Sequence, residues 1–110
     1  MYTIQQASLL IEIPASSIRY YEKVNLIPPI KRNEQGHRIF DEQAIELLKL
    51  IKCFRSLGMS IEDIRENISR LSLEQEEINT QAILIQHKQK LEEQIEVLNS
   101  FISEIDQKII

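Results

Sequence analysis

Ser17-Ile18-Arg19-Tyr20-Tyr21-Glu22, followed by Leu26-Ile27-Pro28-Pro29 and then Gly36-His37-Arg38-Ile39-Phe40, is the stretch on which the fold turns. It opens in a helical pattern, stops at two prolines and ends in a short basic segment around a glycine. Ala15 to Val24 reads as a helix. Ile18 and Tyr21, with Tyr20 as a further candidate, can pack inward, while Ser16, Ser17, Arg19 and Lys23 face out. Ahead of it, Thr3 can cap a first helix, with Gln6 at capping-box spacing and Ile4, Ala7, Leu10 and Ile11 on one face. Ile13-Pro14 breaks that helix, because the residue before a proline is pushed out of helical conformation. Two short helices across so short a turn make a helix-turn-helix.

Downstream, Ile30 to Phe40 reads as a short two-stranded hairpin, or wing, with Gly36 supplying the turn. Asp41 then caps a third helix with Ala44, Leu47, Leu48, Ile51 and Phe54 on its inner face, closed by Leu57-Gly58. Ser60 and Asp63 open a fourth helix with Ile61, Ile64 and Ile68 as its apolar stripe. The last forty residues change character. Leu84, Leu91, Leu98 and Ile105 alternate with Lys88, Ile95, Ile102 and Ile109 at spacings of four and three, and glycine and proline are absent. This is an a/d seam on one long helix that must pair. Isoleucine at a and leucine at d fit a two-stranded coil, Lys88 at an a position can set register, and the seam alone leaves orientation open. The expected organisation is a winged helix-turn-helix domain over 1–71 and a dimerisation helix over 72–110, mainly α.

With 110 residues, one small core is what the chain can build, and dimerisation would support it. The net charge of -4 argues against a nucleic-acid partner until it is divided along the chain. Residues 1–40 carry five Lys/Arg against three acids, residues 41–70 five against six, and residues 71–110 three against eight. Positive charge therefore sits with the helix-turn-helix, and local asymmetry matters more for phosphate binding than the total does. No run of eighteen apolar residues suggests a membrane span, the N-terminal residues lack the pattern of a secretory signal, and one cysteine cannot form an internal disulfide. A cytoplasmic protein is expected.

Candidate chemistry is that of recognition. Ser16, Ser17 and Arg19 occupy the first turns of the second helix, where major-groove readers make their contacts. Arg19 can bond bidentately to guanine or phosphate, against the alternative of a surface pair with Glu22 or Glu12. Tyr20 and Tyr21 are adjacent and cannot share a face, so one belongs to the core and the other, with Tyr21 favoured, to the DNA backbone. Lys23, and Lys31, Arg32, His37 and Arg38 on the wing, are phosphate candidates; the alternative for the wing is a solvated loop. Arg55 and Lys52 near the Gly58 turn form a further set. His37 and His87 lie far apart without a nucleophile, carboxylate set or cysteines beside them, so no enzyme activity, metal site or cofactor is expected.

These motifs occur together in an order and spacing similar to those of the MerR family of bacterial transcriptional regulators. The resemblance runs over residues 2 to 70 through Tyr2-Thr3-Ile4, Ser17-Ile18-Arg19-Tyr20-Tyr21-Glu22, Leu26-Ile27-Pro28-Pro29, Gly36-His37-Arg38 and Leu57-Gly58-Met59-Ser60-Ile61-Glu62-Asp63-Ile64. It implies a winged helix-turn-helix, a second wing at the Gly58 turn and a homodimer joined through antiparallel C-terminal helices. It also implies activation, with RNA polymerase, of promoters whose spacer is too long. Three positions depart from the family pattern: Asn25 where glycine is usual, His37 where tyrosine is usual, and Pro14 in place of a serine cap. Asparagine tolerates left-handed backbone, so the turn at Asn25 should survive, whereas the second helix should lose its side-chain cap.

The segment Ile51-Lys52-Cys53-Phe54-Arg55-Ser56-Leu57-Gly58 resembles the family subgroup whose lone cysteine in the third helix responds to aldehydes or thiol oxidants. Lys49, one turn before Cys53, could favour the thiolate; the alternative is a small buried apolar residue. Two other functions fit the residues less fully. One is an architectural, excisionase-like DNA binder without an effector, and the other is a coiled-coil interaction protein.

Overall fold

The computed structural model of the protein describes residues 1–74 and 79–109, with side chains for 1–69 and 79–109. Five helices are placed among them: α1 (Ile4–Ile11), α2 (Ala15–Lys23), α3 (Glu42–Ser56), α4 (Ile61–Glu74) and α5 (Thr80–Lys108). The chain divides into two compact units, Met1–Gln75 and Glu76–Ile110.

Local signals set the helix ends. At α1 the capping box forms in both directions: the Gln6 N–H donates to Thr3 Oγ1 at 3.1 Å and the Thr3 N–H to Gln6 Oε1 at 2.9 Å. α1 stops at Glu12, which takes a left-handed conformation with φ 62°, and the Glu12 and Ile13 N–H groups both bond to the Ser8 carbonyl. Pro14 stands at the N-cap of α2 and supplies no side-chain cap, as its sequence implies. α2 closes where Asn25 turns left-handed at φ 61°. There the Asn25 N–H bonds to the Glu22 carbonyl and the Leu26 N–H to the Tyr21 carbonyl, the paired bonds of a Schellman motif. The same pairing recurs after α3, from Gly58 (φ 83°) to Arg55 and from Met59 to Phe54. Asp41 Oδ1 caps α3 by accepting from the Ala44 N–H at 2.8 Å, and Ser60 Oγ accepts from the Asp63 N–H at the start of α4.

The core of the first unit joins Ala7 and Ile11 of α1, Ile18 of α2, Leu26, Ile27 and Phe40 of the connection, and Ile45, Leu48, Ile51 and Phe54 of α3 with Ile64 of α4. No polar residue is buried with them among the described side chains. Two expectations need correction. Leu10 is exposed, because Ala7 and Ile11 define the buried line of so short a helix and Leu10 lies off it. On α3 the buried line runs through Ile45, with Ala44 and Leu47 only half-buried beside it. α4 continues to Glu74 and α5 begins at Thr80, where the Asn79 side chain accepts from the Ala82 N–H; part of the expected 72–110 helix lies outside the described residues.

The wing is also smaller than a regular hairpin. Among the described residues the ladder consists of two isolated antiparallel bridges, Arg32 with Arg38 and Tyr2 with Phe40. The second bridge links the entry of α1 to the exit of the wing through two backbone bonds of 2.9 and 2.7 Å. Tyr2 adds a hydroxyl bond to Glu42 at 3.0 Å, and that carboxylate, as acceptor and as neighbouring negative charge, pushes the tyrosine pKa up.

Candidate nucleic-acid interface

Residues at i, i+3, i+4 and i+7 share one face of a helix. On α2 this places Ser16, Arg19, Tyr20 and Lys23 together, and all four are exposed. Arg19 forms no ion pair with Glu22 or Glu12, the two partners that would have made it structural: Glu22 is engaged by Arg38, and Glu12 by Lys52 at 3.7 Å. The guanidinium of Arg19 is therefore presented to solvent. The opposite face carries the fully buried Ile18. Tyr20 is 47 % exposed whereas Tyr21 is half-buried, in keeping with the inward packing expected of Tyr21, and the two rings lie tilted at 51° with centroids 6.4 Å apart. Ser17 is half-buried, its N–H bonded to the Pro14 carbonyl.

The wing presents Lys31, Arg32 and His37, all exposed. Its shape is held by Asn33, whose Oδ1 accepts from both the Gln35 and His37 N–H groups at 3.0 and 2.9 Å. Such side-chain-to-backbone bonding is what favours asparagine in turns. Gly36 (φ 82°) completes the turn, and Arg32 Nη1 donates to its carbonyl at 2.9 Å. Arg38 stands apart from the other wing cations. Its Nε donates to Glu22 Oε1 at 2.7 Å, with both side chains largely covered. Nothing in the sequence hints that a wing cation has a structural partner, since the two residues lie sixteen positions apart in different elements. The other oxygen of Glu22 accepts from the Ile30 N–H at 2.6 Å. Burial raises the Glu22 pKa, but the Ile30 N–H and the Arg38 guanidinium together outweigh it and hold the group below the ordinary 4.5.

Around the Gly58 turn, Arg55 Nη1 donates to the Met59 carbonyl at 2.8 Å. Lys52 reaches back to α1, donating to the Ile11 carbonyl at 2.7 Å. A cation at that point satisfies an orphan carbonyl of the helix end and complements its dipole. Cys53 is exposed and its thiol is free, which removes the buried-core alternative within this chain. Lys49, expected to attend the thiol, instead lies 3.4 Å from Glu46.

On α5, Leu91, Ile95, Leu98, Ile102, Ile105 and Ile109 are all exposed, while Leu84 is half-buried and Lys88 exposed. No helix among the described residues is long and apolar enough to cross a membrane, and no group of three or more His, Cys, Asp or Glu among them is arranged to hold a metal ion.

Comparison with known proteins agrees with this arrangement. The family described as MerR HTH family regulatory protein matches residues 2–71, and the one described as MerR, DNA binding matches residues 45–108. The HTH-type transcriptional regulator YyaN of Bacillus subtilis is 32 % identical over 108 residues, covering 98 % of this chain and 78 % of YyaN. AdhR, an HTH-type transcriptional regulator of the same organism, is 44 % identical over 63 residues, covering 57 % of this chain and 45 % of AdhR, so the match spans about half of that protein. Among solved structures, HiNmlR, a MerR family regulator lacking the sensor domain and bound to promoter DNA, superposes with a TM-score of 0.57 at 28 % identity. That superposition covers 90 % of this chain and 81 % of HiNmlR. The helix-turn-helix, the wing and the family matches across nearly the whole chain lead to one conclusion: the protein belongs to the MerR family of DNA-binding transcriptional regulators.

Proposed function

We propose that the chain acts as a homodimer on promoter DNA in the bacterial cytoplasm. It activates transcription with RNA polymerase by distorting a promoter whose spacer is too long. The observation that carries the DNA-binding part is the exposed face of α2, where Ser16, Arg19, Tyr20 and Lys23 project together and Arg19 is left unpaired by Glu22 and Glu12. In this reading Arg19 and the serines enter the major groove, while Lys23, Lys31, Arg32 and His37 grip phosphates. In this reading Tyr21 and Arg55 add further contacts to the DNA backbone. That HiNmlR is bound to promoter DNA supports promoter DNA as the partner of this chain. The apolar seam of α5 supports pairing with a second α5, antiparallel as in the family, and a two-fold dimer would read two related half-sites. The activator mechanism rests on family resemblance.

A finer reading makes Cys53 the sensor of aldehydes or thiol oxidants. Its support is the exposure of the thiol and its position on α3, next to the Lys52 that contacts α1. Induction by an aldehyde in a reporter strain should vanish with Cys53→Ser, and full induction in that variant would remove the sensor role.

The DNA reading is tested by mobility shift on the protein's own upstream region with wild-type protein and Arg19→Ala. Wild type should give a specific shift that Arg19→Ala loses, and the shift should weaken steeply with salt. A shift equally strong in Arg19→Ala would take α2 out of the interface.

A further inference from the structure

We propose that Glu22 is a positioning residue for DNA binding: its carboxylate ties the wing to α2, and Arg38 serves as an internal strut rather than a phosphate contact. The inference rests on the DNA-binding reading above. Glu22 sits in the last turns of α2, one position before the exposed Lys23, but on the side turned toward the wing. Each of its two oxygens holds a different arm of the wing. Oε2 accepts from the backbone N–H of Ile30, where the wing begins, and Oε1 accepts from Arg38 Nε on the returning arm.

The wing needs such an external hold. Its own ladder is a single bridge, Arg32 with Arg38, and a two-stranded ribbon is at best marginally stable alone. The Tyr2–Phe40 bridge fixes its exit, and Glu22 is the side chain that ties both arms to the helix carrying Arg19. The pair is largely covered, the side chains of Arg38 and Glu22 being 21 % and 15 % exposed, so its attraction is less screened than that of a surface pair. Arg38 thereby spends its charge inside the protein, whereas Lys31 remains exposed. Placing Lys31 and Arg32 at a fixed distance from Arg19 is what lets one rigid surface meet the groove and the flanking phosphates together.

Glu22→Gln separates this role from simple charge effects by the sign of its outcome. Removing an acid beside a DNA-binding face should tighten binding if electrostatics alone operated. As a positioning residue, its removal should weaken binding about tenfold, the scale of one charge-assisted hydrogen bond. The experiment is an anisotropy titration of labelled upstream duplex at several salt concentrations, with wild type, Arg19→Ala, Glu22→Gln, Lys31→Ala and Glu22→Gln/Lys31→Ala. Lys31→Ala should reduce the salt slope in the wild-type background by about 0.9 for each phosphate it no longer neutralises. It should add nothing in the Glu22→Gln background, where the wing is no longer held in place.

Amide exchange of the DNA-free proteins accompanies the titration. Glu22→Gln should speed exchange at Ile30 and Ile39 while leaving Leu48 and Ile51 of α3 protected, which also shows that the variant is folded. If wild type binds and Glu22→Gln binds equally or more tightly, the positioning role is overturned. Unchanged exchange at Ile30 and Ile39 overturns it as well. If wild type gives no specific binding, the DNA reading fails, and the exchange result alone then decides whether Glu22 holds the wing.

Discussion

The first unit and α5 use the same apolar residue types to opposite ends. In the first unit Ile18, Leu48, Ile51, Phe54 and Ile64 have no exposure at all. On α5, Ile95, Leu98, Ile102 and Ile105 each leave more than half of their surface open. Burying such a side chain is worth about 1.5–3 kcal/mol relative to leaving it in water. The first unit collects that energy within one chain; on α5 Ile83 is buried, and the exposed seam residues beyond it can collect that energy only from another surface. The contrast explains how a chain this short carries both a folded reading head and a 29-residue helix. The head buries its apolar side chains within the chain, and the α5 seam leaves its own exposed, as the proposed pairing requires.

The sharpest way to break this contrast is to ask how each substitution depends on protein concentration. Phe54→Ala empties part of a closed core, and urea unfolding should show a drop of about 3–5 kcal/mol, the same at every protein concentration. Ile102→Lys should instead weaken self-association on the order of hundredfold in sedimentation equilibrium, with a melting temperature that depends on concentration only in the wild type. A concentration-independent destabilisation in Ile102→Lys would mean that the residue packs within its own chain.

Smaller effects sharpen the picture inside the reading head. The Glu22 pKa is held below 4.5 in the folded protein, so its contribution to stability is fully present above the unfolded value and is lost as pH falls through the folded one. The melting-temperature difference between wild type and Glu22→Gln should therefore be largest near neutral pH and shrink as the pH is taken below 4.5. Glu12, left-handed at φ 62° and paired only loosely with Lys52, should be improved by glycine. Relief of left-handed strain, worth roughly 1–2 kcal/mol, exceeds the added freedom of the unfolded chain, and Glu12→Gly should raise stability by about 0.5 kcal/mol in a thermal melt.

What is legible in the sequence is what local chemistry decides. The Thr3–Gln6 box, the uncapped start of α2 at Pro14, the left-handed Asn25 and the Gly58 stop each depend on residues within a turn of one another, and each stands as the sequence implies. Pairings between residues far apart are not legible. Glu22 and Arg38 both look like surface charges until the fold brings them to 2.7 Å, and Lys52 gives no sign in the sequence that it reaches the Ile11 carbonyl across forty-one positions. The wing is smaller than its sequence implies because Gly36 and loose alternation mark a hairpin without fixing how many ladder bonds it makes. Of the expected DNA-facing residues, the structure leaves Ser16, Arg19, Tyr20, Lys23, Lys31, Arg32 and His37 exposed and ties down Arg38, a distinction that depends entirely on tertiary packing.

The central claim joins the two regions: α5 pairs so that two reading heads engage one site. It is tested most directly by the mass of the complex with a duplex of the upstream region, measured by light scattering behind size exclusion. The account predicts two chains per duplex for wild type, with Ile102→Lys failing to form that species at the same concentration. One chain per duplex, or an unchanged two-chain complex in Ile102→Lys, would contradict it.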